Sequence, residues 1–189
     1  IVIPLIGSHN VKNATAAIAV SYFIGISLKI LKNSLKNFKG VERRFNKIFS
    51  YNGADIYDDY AHHPTEIREV INGVNTSYKE KKIICVFQPH RISRLNDLKN
   101  EFSASFKKVD SVILCPIYKA GENLKLNINY NEFAKQIIKQ SKVRVFFVNS
   151  QNQLAKFLKN FLNQENIVIG MGAGSISNWI KELPSLMRK

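Results

Sequence analysis

Cysteine is scarce in this chain of 189 residues: Cys85 and Cys115 are its only two, and each sits inside an apolar, strand-like run. Two thiols so far apart suit neither a disulfide framework nor a zinc site, and read as buried, reduced thiols of a cytosolic protein. Acidic residues are few as well, 14 against 28 Lys and Arg, for a formal charge of +14. The excess is mostly Lys scattered along polar helix faces, and the densest stretch, Lys79–Lys82, is interrupted by Glu80. With no basic run of the length of a nucleic-acid tail, the charge suggests anionic ligands at most. Long hydrophobic runs are also missing. Ala14 to Leu28 comes nearest, but Ser21, Tyr22 and Ser27 break it, short of the ~20 apolar residues that span a bilayer. The chain starts Ile1-Val-Ile-Pro, with neither an initiator Met nor a basic segment ahead of an apolar one. The expectation is a fragment rather than a secretory signal.

What is present describes a folded protein. Hydrophobic residues make up 45% and charged residues 22%, enough for one α/β domain with a small appendage. From Asn10 to about Phe38, apolar residues recur at three- and four-residue steps, with a helix end at Gly25; Gly40 then breaks the pattern. Two extended runs joined through Asn52-Gly53 predict a β-hairpin. Beyond it, strands and helices alternate. Lys82–Gln88, Ser111–Cys115, Val143–Val148 and Asn166–Met171 read as buried strands. Pro64, Leu95–Phe106, Asn131–Gln140, Leu154–Leu162 and the residues after Gly172 open or form helices. Strands that are apolar throughout argue for a mostly parallel sheet covered on both faces, a Rossmann-like doubly wound α/β fold. A boundary near 42 divides the chain into a helical tail, residues 1–42, and an α/β domain, residues 43–189.

Three connections are too polar to be ordinary, and each directly follows a strand. In such sheets, ligands bind beyond the carboxyl ends of the strands. Asp58-Asp59-Tyr60-Ala61-His62-His63-Pro64 gathers carboxylates, a phenol and imidazoles that could bind metal, move protons or hold a nucleotide. The plainer alternative is an Asp capping the turn, with the adjacent His side chains on opposite sides. Zinc is disfavoured because no helical i, i+4 His pair or Cys partner is present. In Gln88-Pro89-His90-Arg91-Ile92-Ser93-Arg94, the two Arg would share a face of a first helical turn. They could clamp a carboxylate or phosphate, unless the turn is merely solvated. Gly172-Ala173-Gly174-Ser175 lacks the rest of a dinucleotide-binding pattern and reads as a packing feature.

Taken together, these segments resemble the Mur ligase family. The match runs through nearly the whole chain in order: Gly7-Ser8-His9-Asn10 to Asn13, Gly40 to Arg43-Arg44-Phe45, Asp58-Asp59-Tyr60-Ala61-His62-His63-Pro64-Thr65-Glu66, Phe87-Gln88-Pro89-His90-Arg91 to Arg94, Ala120-Gly121-Glu122 and Gly172-Ala173-Gly174-Ser175. Ile92 stands where the family usually has Tyr, a departure that leaves the charged residues intact. The likeness is greatest to members that join L-alanine to UDP-N-acetylmuramate. It is smaller, around Arg44-Phe45 and Gln88–Arg91, to those that ligate a recycled tripeptide to the same nucleotide sugar.

The resemblance implies an ATP-dependent ligase of peptidoglycan precursor synthesis, working through an acyl phosphate. It assigns His9, Asn10, Asn13, Arg44 and Asp59 to ATP. Tyr60, Arg91 and Arg94 would hold the amino acid and the muramyl carboxylate, with His62 and His90 as catalytic imidazoles. The family's phosphate-binding Gly-Lys-Thr loop and Mg2+ ligands have no counterpart here. The N-terminal and central domains would therefore be missing, the metal would be held elsewhere, and the fragment alone would be inactive. Two other classes stay open: a non-catalytic nucleotide- or anion-binding module, and, on charge alone, a nucleic-acid binder. The expected protein is cytoplasmic and bound to neither membrane nor nucleic acid.

Overall fold

The computed structural model describes residues 1–124 and 128–188. Two helices come first, α1 (Ser8–Phe23) and α2 (Leu28–Lys36), the second capped by Ser27 accepting from the Ile30 N–H. The hairpin follows as β1 (Asn46–Tyr51) and β2 (Ala54–Asp59). Asn52 and Gly53 both have positive φ, 48° and 77°, the backbone that a two-residue hairpin turn requires. Then come α3 (Pro64–Ser77), β3 (Lys82–Phe87), α4 (Ile92–Asp97), α5 (Lys99–Ser103), β4 (Ser111–Leu114), α6 (Tyr130–Ser141), β5 (Arg144–Phe147), α7 (Gln151–Phe161), β6 (Asn166–Met171) and α8 (Ile176–Met187). The single helix expected over Leu95–Phe106 is instead two short ones, divided at Leu98, whose ψ of 24° leaves the helical range.

The six strands lie in the order β1-β2-β6-β3-β4-β5, antiparallel only between β1 and β2. The last strand in the chain is thus inserted between β2 and β3. Side chains along a strand alternate between faces, and the core follows that rule. Ile83, Cys85 and Phe87 pack with α3, α5 and α6 through Ile67, Ile71, Phe102, Phe133 and Ile137. Ile84 and Val86 pack on the other face with Leu154, Leu158, Ile176 and Ile180 of α7 and α8. Both thiols are buried and unpaired, one in each core.

The N-terminal helices contribute little to these cores. No residue of α1 is buried, and Leu31 alone is buried in α2. They attach through Ile6, which packs against the α3 side of the core, and through Ser8 donating to Glu69 at 3.2 Å. Because β2, β6 and β3 are neighbours and parallel, their carboxyl ends bring the loops after residues 59, 87 and 171 together.

Candidate functional site

The linker into the domain is pinned at the end of β2. Arg43 and Phe45 both hold left-handed backbones, φ 58° and 53°, which side-chain-bearing residues adopt only under outside restraint. The restraints are visible. The Tyr60 N–H donates to the Arg43 carbonyl at 2.7 Å, and Arg43 Nη2 donates to the Gly172 carbonyl at 2.7 Å. The Arg43 guanidinium lies 4.6 Å above the Tyr60 ring, a cation–π contact. Phe45 stacks on Tyr57 with centroids 4.1 Å apart. Asp58 is buried, accepts the Ser177 hydroxyl of α8 at 2.5 Å and lies 3.8 Å from Arg43 Nε.

A cavity of about 630 Å³ opens between this linker, α1 and α3. Its polar lining includes His9, Asn10, Asn13, Arg44, Asp59, Glu66 and Glu69, and its apolar wall includes Leu5, Ala14, Leu35, Phe38 and Val41. The five side chains read as nucleotide ligands therefore share one cavity. Asn10 donates its amide to the Ile6 carbonyl at 2.7 Å, and His9 Nδ1 is buried without a partner. Burial holds the His9 imidazole below its usual pKa, Glu69 opposes that shift, and Arg44 adds to it. Asp59, only 2% exposed, is pushed up to about 6 by burial. Hydrogen bonds from the Ala61 and Phe45 N–H groups and the nearby Arg44 charge limit the rise.

Adjoining this cavity is a row of rings. Tyr60 meets His62 edge-on at 5.1 Å, His62 meets His90 at 5.7 Å, and His90 stacks on Tyr118 at 5.5 Å. The two imidazoles have opposite hydrogen-bond surroundings. His62 Nδ1 faces only acceptors, the Tyr60 carbonyl at 2.9 Å and a Glu66 carboxylate oxygen at 3.3 Å. It must be the N–H nitrogen, leaving the Nε2 lone pair of a neutral ring free. His90 Nδ1 instead faces Arg94 Nη1 at 3.3 Å. A guanidinium only donates, so the neutral His90 ring carries its proton on Nε2. Burial, with Arg94, His62 and Arg91 close by, holds His90 below its usual pKa.

Neighbouring residues do not all join the row. His63 turns away and caps α3, accepting from the Thr65 N–H while Glu66 accepts from the His63 N–H, a capping box. The helix cap is therefore His63, while Asp59 caps the turn before it by accepting the Ala61 N–H at 2.7 Å. Arg91 and Arg94 do not share a helical turn as the spacing suggested: Arg91 is the residue before α4, with φ 72° and an exposed side chain, and only Arg94 lies within the helix. Gln88 is buried, accepting from the Ile176 N–H and bonding Ser175 Oγ, which ties β3 to the start of α8. Tyr118 is a member of the row that residue-type reasoning missed. Its only signal was position, two residues before the Ala120-Gly121-Glu122 motif. At Gly174 a Cβ would come within 2.4 Å of the Tyr118 ring, so the glycine makes room for it.

The chain is similar to known proteins. A UDP-N-acetylmuramate–L-alanine ligase from Pelagibacter ubique is 64% identical over 185 residues, covering 98% of this chain and 40% of the relative. The enzyme of the same name from Mesorhizobium japonicum is 39% identical over 182 residues, covering 96% of this chain and 39% of its own. The crystal structure of a UDP-N-acetylmuramate–alanine ligase from Thermotoga maritima superimposes with a TM-score of 0.80 at 26% identity, over 98% of this chain and 39% of that one. The chain thus spans about 40% of the length of the relatives it matches. The model of the family described as "Mur ligase, glutamate ligase domain" matches residues 43–174. From the pinned linker arginine Arg43 to the glycine that admits Tyr118, this chain belongs to the Mur ligase family.

Proposed function

We propose that the chain is the C-terminal part of an ATP-dependent, ADP-forming ligase that joins L-alanine to UDP-N-acetylmuramate. Residues 1–42 are the tail of its central ATPase domain and residues 43–189 its C-terminal domain. The observation that carries this reading is the meeting of two different sites at Asp59–Tyr60. Asp59 lines the cavity with His9, Asn10, Asn13 and Arg44, and Tyr60 begins the row containing His62 and His90. A nucleotide site beside an imidazole and guanidinium site is what a reaction between a phosphoryl donor, a carboxylate and an amine requires.

In this reading Asn10 and Asn13 read the adenine beside His9, Arg44 reaches the phosphates, and Asp59 accepts from the ribose or its surroundings. Arg91 and Arg94 hold carboxylates, Tyr60 lines the amino-acid side, and His90 donates through Nε2. His62, with Nε2 free, accepts the proton that the incoming ammonium must lose before its nitrogen can attack. The Mg2+ that assists such transfers is held by residues outside this chain. Among the described residues, no group of three or more His, Cys, Asp or Glu is assembled as a metal site. The cavity suits a nucleoside in its mixed polar and apolar lining and in the unpartnered His9 Nδ1. Both nucleotide substrates belong to the cytoplasm, and no described helix is long and apolar enough to cross a membrane.

The test is phosphate release by the full-length protein. Release from ATP that requires both UDP-N-acetylmuramate and L-alanine is the expected result. Release that needs a free tripeptide instead of alanine, with the same nucleotide sugar, would assign the protein to the recycling branch, and nucleotide binding without any release would make it a non-catalytic module.

A further inference from the structure

The segment Tyr118–Glu122 lies across the loop that carries His90 and Arg91. Tyr118 and the 89–91 backbone form a short parallel bridge: the Tyr118 N–H donates to the Pro89 carbonyl and the Arg91 N–H donates to the Tyr118 carbonyl, each at 2.8 Å. Ala120 and Gly121, with φ 52° and 81°, turn the chain so that Glu122 returns to the same loop. There its Oε2 accepts from the Ile92 and Ser93 N–H groups at 2.6 and 3.2 Å, and its Oε1 accepts the Ser93 hydroxyl at 2.5 Å. The carboxylate satisfies N–H groups that open α4 and would otherwise lack partners.

Arg91 has the left-handed backbone that this restraint must maintain, and Arg94 rides on α4 with its guanidinium against His90. The other side of the His90 ring is covered by Tyr118, stacked 20° from parallel. One five-residue segment thus holds His90 by its ring, Arg91 by its backbone N–H, and the start of α4, which carries Arg94, by the Ile92 and Ser93 N–H groups.

We propose that Tyr118 and Glu122 are positioning residues that orient His90, Arg91 and Arg94 toward the carboxylate-bearing substrates. This rests on the functional reading above. Neither residue touches the nucleotide cavity, so their loss acts on one side of the site only.

The test uses the full-length ligase. Glu122→Ala should raise KM for L-alanine about tenfold or more, as expected when charge-assisted hydrogen bonds are lost, with KM for ATP unchanged within about twofold. Glu122→Gln, whose amide oxygen still accepts an N–H, should recover part of that loss. Tyr118→Ala should shift the same constant in the same direction. Should Glu122→Ala fail to fold, Ser93→Ala removes one of the three hydrogen bonds and should give a smaller shift of the same kind. An unchanged KM for alanine in these variants, or equal rises for alanine and ATP, would overturn the proposal. Arg91→Ala and Arg94→Ala separate it from the underlying reading. If they leave KM for alanine unmoved, the functional reading has failed. If they raise it while the Glu122 and Tyr118 variants do not, only the positioning role has failed.

Discussion

The Phe45 N–H donates to Asp59 Oδ2 at 2.8 Å, across the 14 residues of the hairpin. The Ala61 N–H takes the other oxygen at 2.7 Å. The carboxylate is thereby fixed between the linker and the end of β2, and Arg44, immediately before Phe45, enters the cavity from the same strap. A shift of the linker would move Arg44 and Asp59 together. On the proposed boundary near residue 42, that coupling would tie the linker's position to the lining of the nucleotide cavity.

Asp59 should titrate with a midpoint near pH 6, readable by carbon NMR of the labelled carboxylate. The sign of its effect on stability follows. A carboxyl group with a folded pKa of about 6 and an ordinary value of 3.8 holds its proton more tightly when folded. Its stabilising contribution is complete below about pH 4 and is lost as pH rises through 6, on the order of 3 kcal/mol. This is opposite to the usual ion-paired carboxylate. A midpoint at or below 4 would mean that the two N–H donors and Arg44 outweigh burial.

The two imidazoles should separate kinetically in the full-length ligase. His62→Asn keeps a donor near the Nδ1 position but removes the free Nε2, and should lower kcat by about 10²–10⁴. His90→Gln should act mainly on KM. A kcat loss of that size in the His90 variant, with kcat kept in the His62 variant, would exchange the assignments.

Gly174→Ala places a methyl group 2.4 Å from the Tyr118 ring and 2.7 Å from Gln88 Oε1. Neither neighbour is the free end of a long flexible chain, since Gln88 is buried and bonded to the start of α8. The substitution should cost about 1–3 kcal/mol by overpacking and displace Tyr118 from His90. A melting temperature equal to that of the parent would show that the loop yields freely.

The strand order could not be read from the chain, although the strands could. Alternating apolar runs mark β3, β4 and β6, but nothing local to Asn166–Met171 says that it enters between β2 and β3. The polar residues after β2 and β3 were visible by type. Their hydrogen-bond roles were not, although the partners are near in sequence: the N–H position of the His62 ring follows from the Tyr60 carbonyl and Glu66, and that of His90 from Arg94, and only the folded turns aim these groups at one another. Glu122 showed only as part of a motif, since its partners lie about 30 residues away. The left-handed Arg43, Phe45 and Arg91 are equally silent, because no propensity favours them and only tertiary bonds impose them.

The proposed division of the chain near residue 42 can be tested on the 189-residue polypeptide itself. Every buried residue of both cores lies between Ala54 and Met187, so residues 43–189 hold a complete folding unit. In contrast, Val20, Phe23, Ile24, Leu28 and Ile30 of the helical tail are exposed, Phe23 by 90%. Five large apolar side chains exposed within eleven residues are costly in water and call for a protein partner. On the proposed function, the rest of a longer ligase would supply it; the Pelagibacter ubique relative is matched over 40% of its length. The 189-residue chain should therefore self-associate and bind an apolar dye. The shorter chain, residues 43–189, should do neither and still melt cooperatively. Neither should release phosphate from ATP with UDP-N-acetylmuramate and alanine present. Loss of cooperative melting in the shorter chain would show that the tail belongs to the same folding unit. Turnover by the 189 residues alone would show that the phosphate-handling groups lie within them.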